Sequence, residues 1–124
     1  MNRVYIETSV PSYLTARRSK DLIIAADQEL TTDWWNDHRS RFILYTSDAV
    51  LKEAAKGDPD AAAKRLGALD GITLLDVTDP ATELAEVFLR RQIIPAKVLT
   101  DALHVAIATV HGLDFVVTWN RKTT

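Results

Sequence analysis

The sequence predicts an α/β domain, a three-layer sandwich with a central, mainly parallel β-sheet and helices on both faces. The first observation behind this is an alternation: short β-favouring runs at residues 4–6, 42–46, 72–75 and 115–117 are separated by longer segments of helical spacing. Strands joined through helices form crossover units, which are right-handed and build parallel sheets. The second is size. The chain has 124 residues, 47% of them apolar and 26% charged, which fits one domain spanning 1–124 that buries about two-thirds of the surface its unfolded chain exposes. The third is the absence of Cys, which excludes a disulfide scaffold, zinc–thiolate sites and thiol catalysis.

The elements follow in order. Val4, Tyr5 and Ile6 read as a central strand that stops at Glu7-Thr8-Ser9, with Pro11 punctuating the connection. Across residues 20–38, Leu22, Ile23, Ala26, Leu30, Trp34 and Trp35 recur at helical spacing, with Thr31 and Thr32 as the place where that helix would be interrupted. After the second strand, Ser47 or Asp48 caps a helix that carries Glu53 and ends at Gly57. Asp58-Pro59 and Asp79-Pro80 each read as an N-cap acid before a helix-starting Pro. The segment TDALHVAIATVH, residues 100–111, is apolar around nearly its whole circumference, which predicts a buried helix with Thr100 as cap and Gly112 as C-cap. The last strand runs out at Thr118-Trp119-Asn120. No internal repeat or low-complexity tract interrupts this order.

No apolar run approaches the roughly 18–20 residues of a membrane span, and Met1-Asn2-Arg3 leads into a strand rather than a signal peptide, so a soluble cytoplasmic protein is expected. The net charge of −2 gives no bulk footprint for nucleic acid. Where the acids fall is more informative. Ligands of open parallel sheets bind beyond the carboxyl ends of the strands. Glu7 directly follows the first strand, Asn120 follows the last, Asp101 opens the apolar helix leading to it, and Glu53 lies on the helix after the second strand. A carboxylate heading an apolar helix is costly unless a cation or several donors meet it. Taken singly, each residue has an ordinary structural account: Asp101 as a first-turn helix acid, Glu7 as a strand end, Glu53 as a surface partner of Lys52 or Lys56, and Asn120 as a turn former. Together they make an all-oxygen set that suits Mg²⁺ or Mn²⁺ better than zinc. Of the histidines, His104 shares a helix face with Asp101 and reads as a core residue or a support of the site rather than a ligand. His38 and His111 have no partner at ligand spacing, and the pair Trp34-Trp35 reads as packing.

The stretches VYIETSVPSYL, the helical Glu53, TDALHVAIA and the closing VVTWN resemble the PIN-domain ribonucleases, especially the VapC-like toxins of type II toxin–antitoxin pairs. The resemblance spans nearly the whole chain. The acid and hydroxyls after the first strand match Glu7, Thr8 and Ser9, the helical acid matches Glu53, the acid heading an Ala-rich helix matches Asp101, and the position after the last strand matches Asn120. It implies a divalent-metal-dependent endoribonuclease, with Mg²⁺ or Mn²⁺ held by Glu7, Glu53, Asp101 and Asn120. It also implies an RNA substrate, a cognate antitoxin as partner, and a homodimer, for which the apolar positions of residues 22–35 offer a surface. Three features depart from the family pattern: Glu7 stands where Asp is usual, Asn120 is a neutral donor, and the chain ends four residues later, short of the family's C-terminal element.

On this reading a metal-activated water attacks the phosphodiester in line. Thr8, Ser9 and Thr118 donate hydrogen bonds to the carboxylates or the phosphate, and Arg121, Lys122, Arg17, Arg18 and Lys20 lie where they could hold RNA phosphates. The alternative is a catalytically weakened or inactive relative that binds RNA or protein. A phosphorylation-dependent receiver, prompted by LLDVTDP around Asp76, ranks below both, since it needs an acidic pair after the first strand and a Lys after the last.

Overall fold

In the computed structural model, which describes residues 1–91 and 99–119 without the side chains of Leu99 and Thr100, the strands form one parallel sheet in the order β3-β2-β1-β4 among the described residues. These are β1 (Asn2–Ile6), β2 (Phe42–Ser47), β3 (Thr73–Leu75) and β4 (Phe115–Val117). β1 lies inside the sheet, with Tyr5 opposite Tyr45 of β2 on one side and Val116 of β4 on the other. Val4, Tyr5 and Ile6 are buried to 1%, 0% and 0% exposure, as a strand covered on both faces requires. Because all four strands run the same way, their carboxyl ends share one edge, and Glu7, the residue after β1, bonds through its N–H to the carbonyl of Val117 at 3.2 Å.

The helices are α1 (Ser9–Thr15), α2 (Leu22–Asp33), α3 (Asp48–Ala54), α4 (Pro59–Leu69), α5 (Asp79–Arg90) and α6 (Leu99–Val110). Capping explains most of these starts. Ser47 caps α3 through Val50 N–H, and Asp58 caps α4 through Ala61 N–H. The carbonyls at the end of α3 are closed by Arg65 of α4, whose Nε donates to Ala54 O at 3.0 Å and Nη2 to Lys56 O at 2.6 Å. Gly57 then turns the chain at φ +84°, a conformation that costs glycine nothing. These contacts fix the helix that carries Glu53.

The structure corrects the sequence reading in several places. Residues 9–15 form a helix, because Pro11 sits in its first turn, where a missing N–H is not needed. Thr31 does not interrupt α2: its hydroxyl donates to Asp27 O at 2.7 Å and the residue is buried, and the helix continues into a π-helical turn at Trp34–His38. Thr78, not Asp79, caps α5, since its extended backbone lets the hydroxyl accept from Ala81 N–H. α6 begins at Leu99, so Thr100 lies inside it rather than capping it.

Nor is α6 buried all round. Ala102, His104, Ala106, Ile107 and Ala108 are buried, while Val105 and Val110 are 37% and 40% exposed. α6 packs against the sheet core through Ile107 and against Ala85 of α5 through Ala102 and Ala106, which leaves the stripe through Val105 and Thr109 facing outward.

The two faces of α6 should answer differently to truncation. Ile107→Ala, at a position with 0% exposure, should lower the unfolding free energy by about 2–5 kcal/mol in urea titrations. Val105→Thr should stay within about 0.5 kcal/mol of the wild type.

Candidate functional site

The site is built on the corner Glu7-Thr8-Ser9, where β1 passes into α1. Glu7 is only 8% exposed, and a carboxylate so placed needs donors. Three reach its Oε1: the Ser9 hydroxyl at 2.5 Å, the Ser9 backbone N–H at 3.1 Å and the Thr118 hydroxyl at 2.6 Å. The Ser9 hydroxyl in turn accepts from Trp119 N–H at 2.8 Å, so the chain end beyond β4 is tied to the end of β1. Trp119 is held further by its indole N–H, which donates to Thr31 Oγ1 at 2.7 Å, and by stacking on Tyr13 with ring centroids 5.5 Å apart.

The second carboxylate belongs to Glu53 on α3. Its Oε1 accepts from the Thr8 hydroxyl at 2.7 Å and from His104 Nε2 at 2.5 Å. The partner of Glu53 is thus His104 of α6, and the surface pairing with Lys52 or Lys56, its ordinary account when taken singly, gives way to it. Lys56 contributes only through its charge. Burial pushes the Glu53 carboxyl up, but the hydrogen bonds from His104 and Thr8, with the charge of Lys56, outweigh it and hold the group below its ordinary value of 4.5. Glu53 is therefore ionised at neutral pH. Consecutive residues of one corner hold both acids, Thr8 gripping Glu53 and Ser9 gripping Glu7.

Behind this pair lies a buried polar chain. His104 is 1% exposed, and its Nδ1 meets Tyr5 Oη at 2.6 Å. Tyr5 Oη meets Ser47 Oγ at 2.8 Å, and Ser47 Oγ accepts the N–H of Val50 in its capping role. Burial drives the Tyr5 phenol well above its ordinary value of 10, only partly offset by the Ser47 hydrogen bond and reinforced by the nearby Glu53 and Glu7 charges, so it keeps its proton. Tyr5 and Ser47 escaped the sequence reading as anything but a strand residue and a cap. The available signal was a tyrosine between Val4 and Ile6 in a central strand, since a buried phenol has to find a partner.

Asp101 lies in the first turn of α6, partly buried and one turn before His104. Glu7 and Glu53 are brought together through the corner, and Asp101 lies on the helix that carries His104. Asn120, Arg121 and Lys122 lie outside the described residues. Among the described residues no group of three or more His, Asp or Glu is gathered as metal ligands. Among the described residues every hydrogen bond to Glu7 and Glu53 falls on Oε1, and Oε2 of each takes up none. Two fixed carboxylates, each with one oxygen left over, are donors of the kind a hard cation takes.

No family model and no curated protein matches the sequence. Solved structures do match the fold. The toxin VapC20 of Mycobacterium tuberculosis, described as cleaving the sarcin–ricin loop, superposes with a TM-score of 0.75 at 18% identity, covering 97% of this chain and 92% of its own. VapBC2 of Rickettsia felis, solved bound to a DNA fragment from its promoter, matches with a TM-score of 0.55 at 15% identity over 92% of this chain and 86% of that one. The chain has the α/β fold of the VapC-type PIN toxins.

The lowered Glu53 carboxyl makes a directional prediction. A carboxylate held below its unfolded value stabilises the fold above about pH 4.5 and loses that contribution as pH falls through the lowered value. The stability advantage of the wild type over Glu53→Gln in urea titrations should therefore be full at pH 6 and shrink progressively below pH 4.5.

Proposed function

We propose that this chain is a divalent-metal-dependent endoribonuclease that hydrolyses RNA phosphodiesters as the toxin of a toxin–antitoxin pair. The observation that carries the proposal is the corner 7–9, which holds Glu7 and Glu53 with one oxygen of each left over at the carboxyl edge of a VapC-like sheet. Glu7, Glu53, Asp101 and Asn120 would hold Mg²⁺ or Mn²⁺. The ion would supply charge to the scissile phosphate and a water of lowered pKa for in-line attack.

The chain's own residues divide the remaining work. Glu7 and Glu53 stay in place because Thr8, Ser9 and Thr118 spend their hydroxyls on the carboxylates, so these three support the acids rather than bind phosphate. Glu53, ionised and fixed from two sides, would help hold the ion or orient the attacking water. Arg17, Arg18 and Lys20, all exposed on the connection after α1, supply cations for the RNA backbone.

A second feature concerns partners. α2 is turned inside out: Ala25 and Thr31 are its buried residues, while Leu22, Ile23 and Leu30 are 82%, 72% and 58% exposed. Leu22, Ala26 and Leu30 recur every fourth residue, so with Ile23 they form one apolar stripe along the outer face. A second copy of the chain covers that stripe in this reading, and the antitoxin is the further partner. No described helix is long and apolar enough to cross a membrane.

With Mn²⁺ present, the purified protein should cleave structured RNA, and Asp101→Ala should slow cleavage roughly 100-fold or more, beyond the roughly 10–100-fold typical of losing a residue behind a ligand. Calorimetry should show Mn²⁺ binding that disappears in Asp101→Asn. RNA binding without cleavage by the wild type would favour the inactive-module reading instead.

Light scattering should give the mass of a dimer, and the double variant Ile23→Asp, Leu30→Asp should give a folded monomer. A wild-type monomer would remove the self-association part of the proposal.

A further inference from the structure

Glu53 carries two donors on the same oxygen, and one of them is the end of a buried chain of hydrogen bonds that the cleavage chemistry does not call for. Starting from the acid and a neutral imidazole, the direction of every bond follows. An ionised carboxylate only accepts, so His104 Nε2 carries the hydrogen and donates to Glu53 Oε1. With the ring hydrogen on Nε2, Nδ1 is an acceptor and takes the Tyr5 hydroxyl. Tyr5 Oη then accepts from the Ser47 hydroxyl, and Ser47 Oγ accepts the N–H of Val50. The donors Val50 N–H, Ser47, Tyr5 and His104, ending on Glu53 as acceptor, leave no member unsatisfied, and no buried side-chain nitrogen or oxygen among the described residues lacks a partner.

The chain also ties α6, through His104, to the paired strands β1 and β2, through Tyr5 of β1 and Ser47 at the β2–α3 junction. Tyr5 is 0% exposed, Ser47 0% and His104 1%. Side chains so enclosed have one rotamer each, and the imidazole therefore presents Nε2 to Glu53 in a single orientation.

We propose that Ser47, Tyr5 and His104 form a positioning relay for Glu53: together with Thr8 they pin Oε1, so that Oε2 is the oxygen Glu53 turns toward a divalent cation. The inference rests on the metal-dependent reading given above. A histidine fixed from behind by a phenol plays here the part that outer partners play for metal ligands generally, where removing one costs about 10–100-fold in metal affinity. Tyr5 touches neither substrate nor cation and acts only through His104, whereas Ser47 supports Tyr5 and also caps α3, the helix that carries Glu53.

The test is calorimetric titration with Mn²⁺ of the full chain and its variants, each first checked for folding by circular dichroism. Tyr5→Phe, which removes one buried oxygen, should weaken Mn²⁺ binding about 10-fold. His104→Asn should weaken it at least as much, and His104→Gln should recover part of the loss because its amide nitrogen reaches the place of Nε2. In a Glu53→Gln background Tyr5→Phe should have no further effect, whereas a merely structural role would lower binding equally in both backgrounds. If Tyr5→Phe does not fold, the two His104 variants carry the same comparison in both backgrounds. Tyr5→Phe and His104→Asn both binding Mn²⁺ within twofold of the wild type would overturn the relay, as would equal losses in the Glu53→Gln background. A wild type that binds no Mn²⁺ would sink the metal-dependent reading instead. In that case nitrogen-15 NMR of the His104 ring decides the relay alone: hydrogen on Nε2 with Nδ1 bare supports it, and hydrogen on Nδ1, alone or together with Nε2, excludes it.

Discussion

Two carboxylates held at the end of a parallel sheet have to be supplied with donors, and much of the described structure around that edge is arranged to supply them. A charge withdrawn from water is tolerated only when hydrogen bonds or opposite charges replace its hydration. Glu7 obtains three donors and Glu53 two. The donors come from the chain turn that follows β1, from the end of β4 and from α6, so each one makes a structural demand. Thr118 must arrive beside Glu7, which the pairing of β4 with β1 ensures. His104 must face Glu53, which requires α6 to lie across the sheet with its polar residue inward.

That demand explains features that look out of place alone. α6 buries a histidine while leaving Val105 and Val110 in solvent, an arrangement that wastes apolar surface unless the histidine has work inside. α2 likewise turns Ala25 and Thr31 inward and Leu22, Ile23 and Leu30 outward. Part of the reason is local, because Thr31 accepts the indole N–H of Trp119, and the backbone N–H of Trp119 in turn holds Ser9 at the carboxylate corner. A larger apolar side chain at position 31 would lose that acceptor. That arrangement leaves Leu22, Ile23 and Leu30 exposed on the outer face.

Much of the fold was legible because it rests on local chemistry. The β-favouring runs, the Ser47 and Asp58 caps and the left-handed glycines at 57 and 112 are settled by neighbouring residues, and the structure has them where the pattern put them. Legibility failed where two local signals competed or where the deciding partner was distant. Pro11 reads as a breaker, yet in the first turn of α1 its missing N–H is harmless. Thr78 and Asp79 both cap helices well, and only backbone geometry separates them. Among the acids, the sequence pointed to Glu7, Glu53 and Asp101 by position relative to strand ends. It gave no way to see Tyr5 behind His104.

By itself, then, the sequence determined an alternating strand–helix order, the edge on which the acids fall and the types of residue at that edge, because periodicity, capping and strand ends depend on spacing along the chain. The tertiary structure alone decided which partners those residues take. Glu53 and His104 lie 51 positions apart, Tyr5 and His104 lie 99 apart, and Glu7 and Thr118 lie 111 apart. Choices between such partners, His104 rather than Lys52 for Glu53, or Thr31 rather than solvent for Trp119, are made by packing, which compares every candidate donor at once and leaves no trace in local pattern.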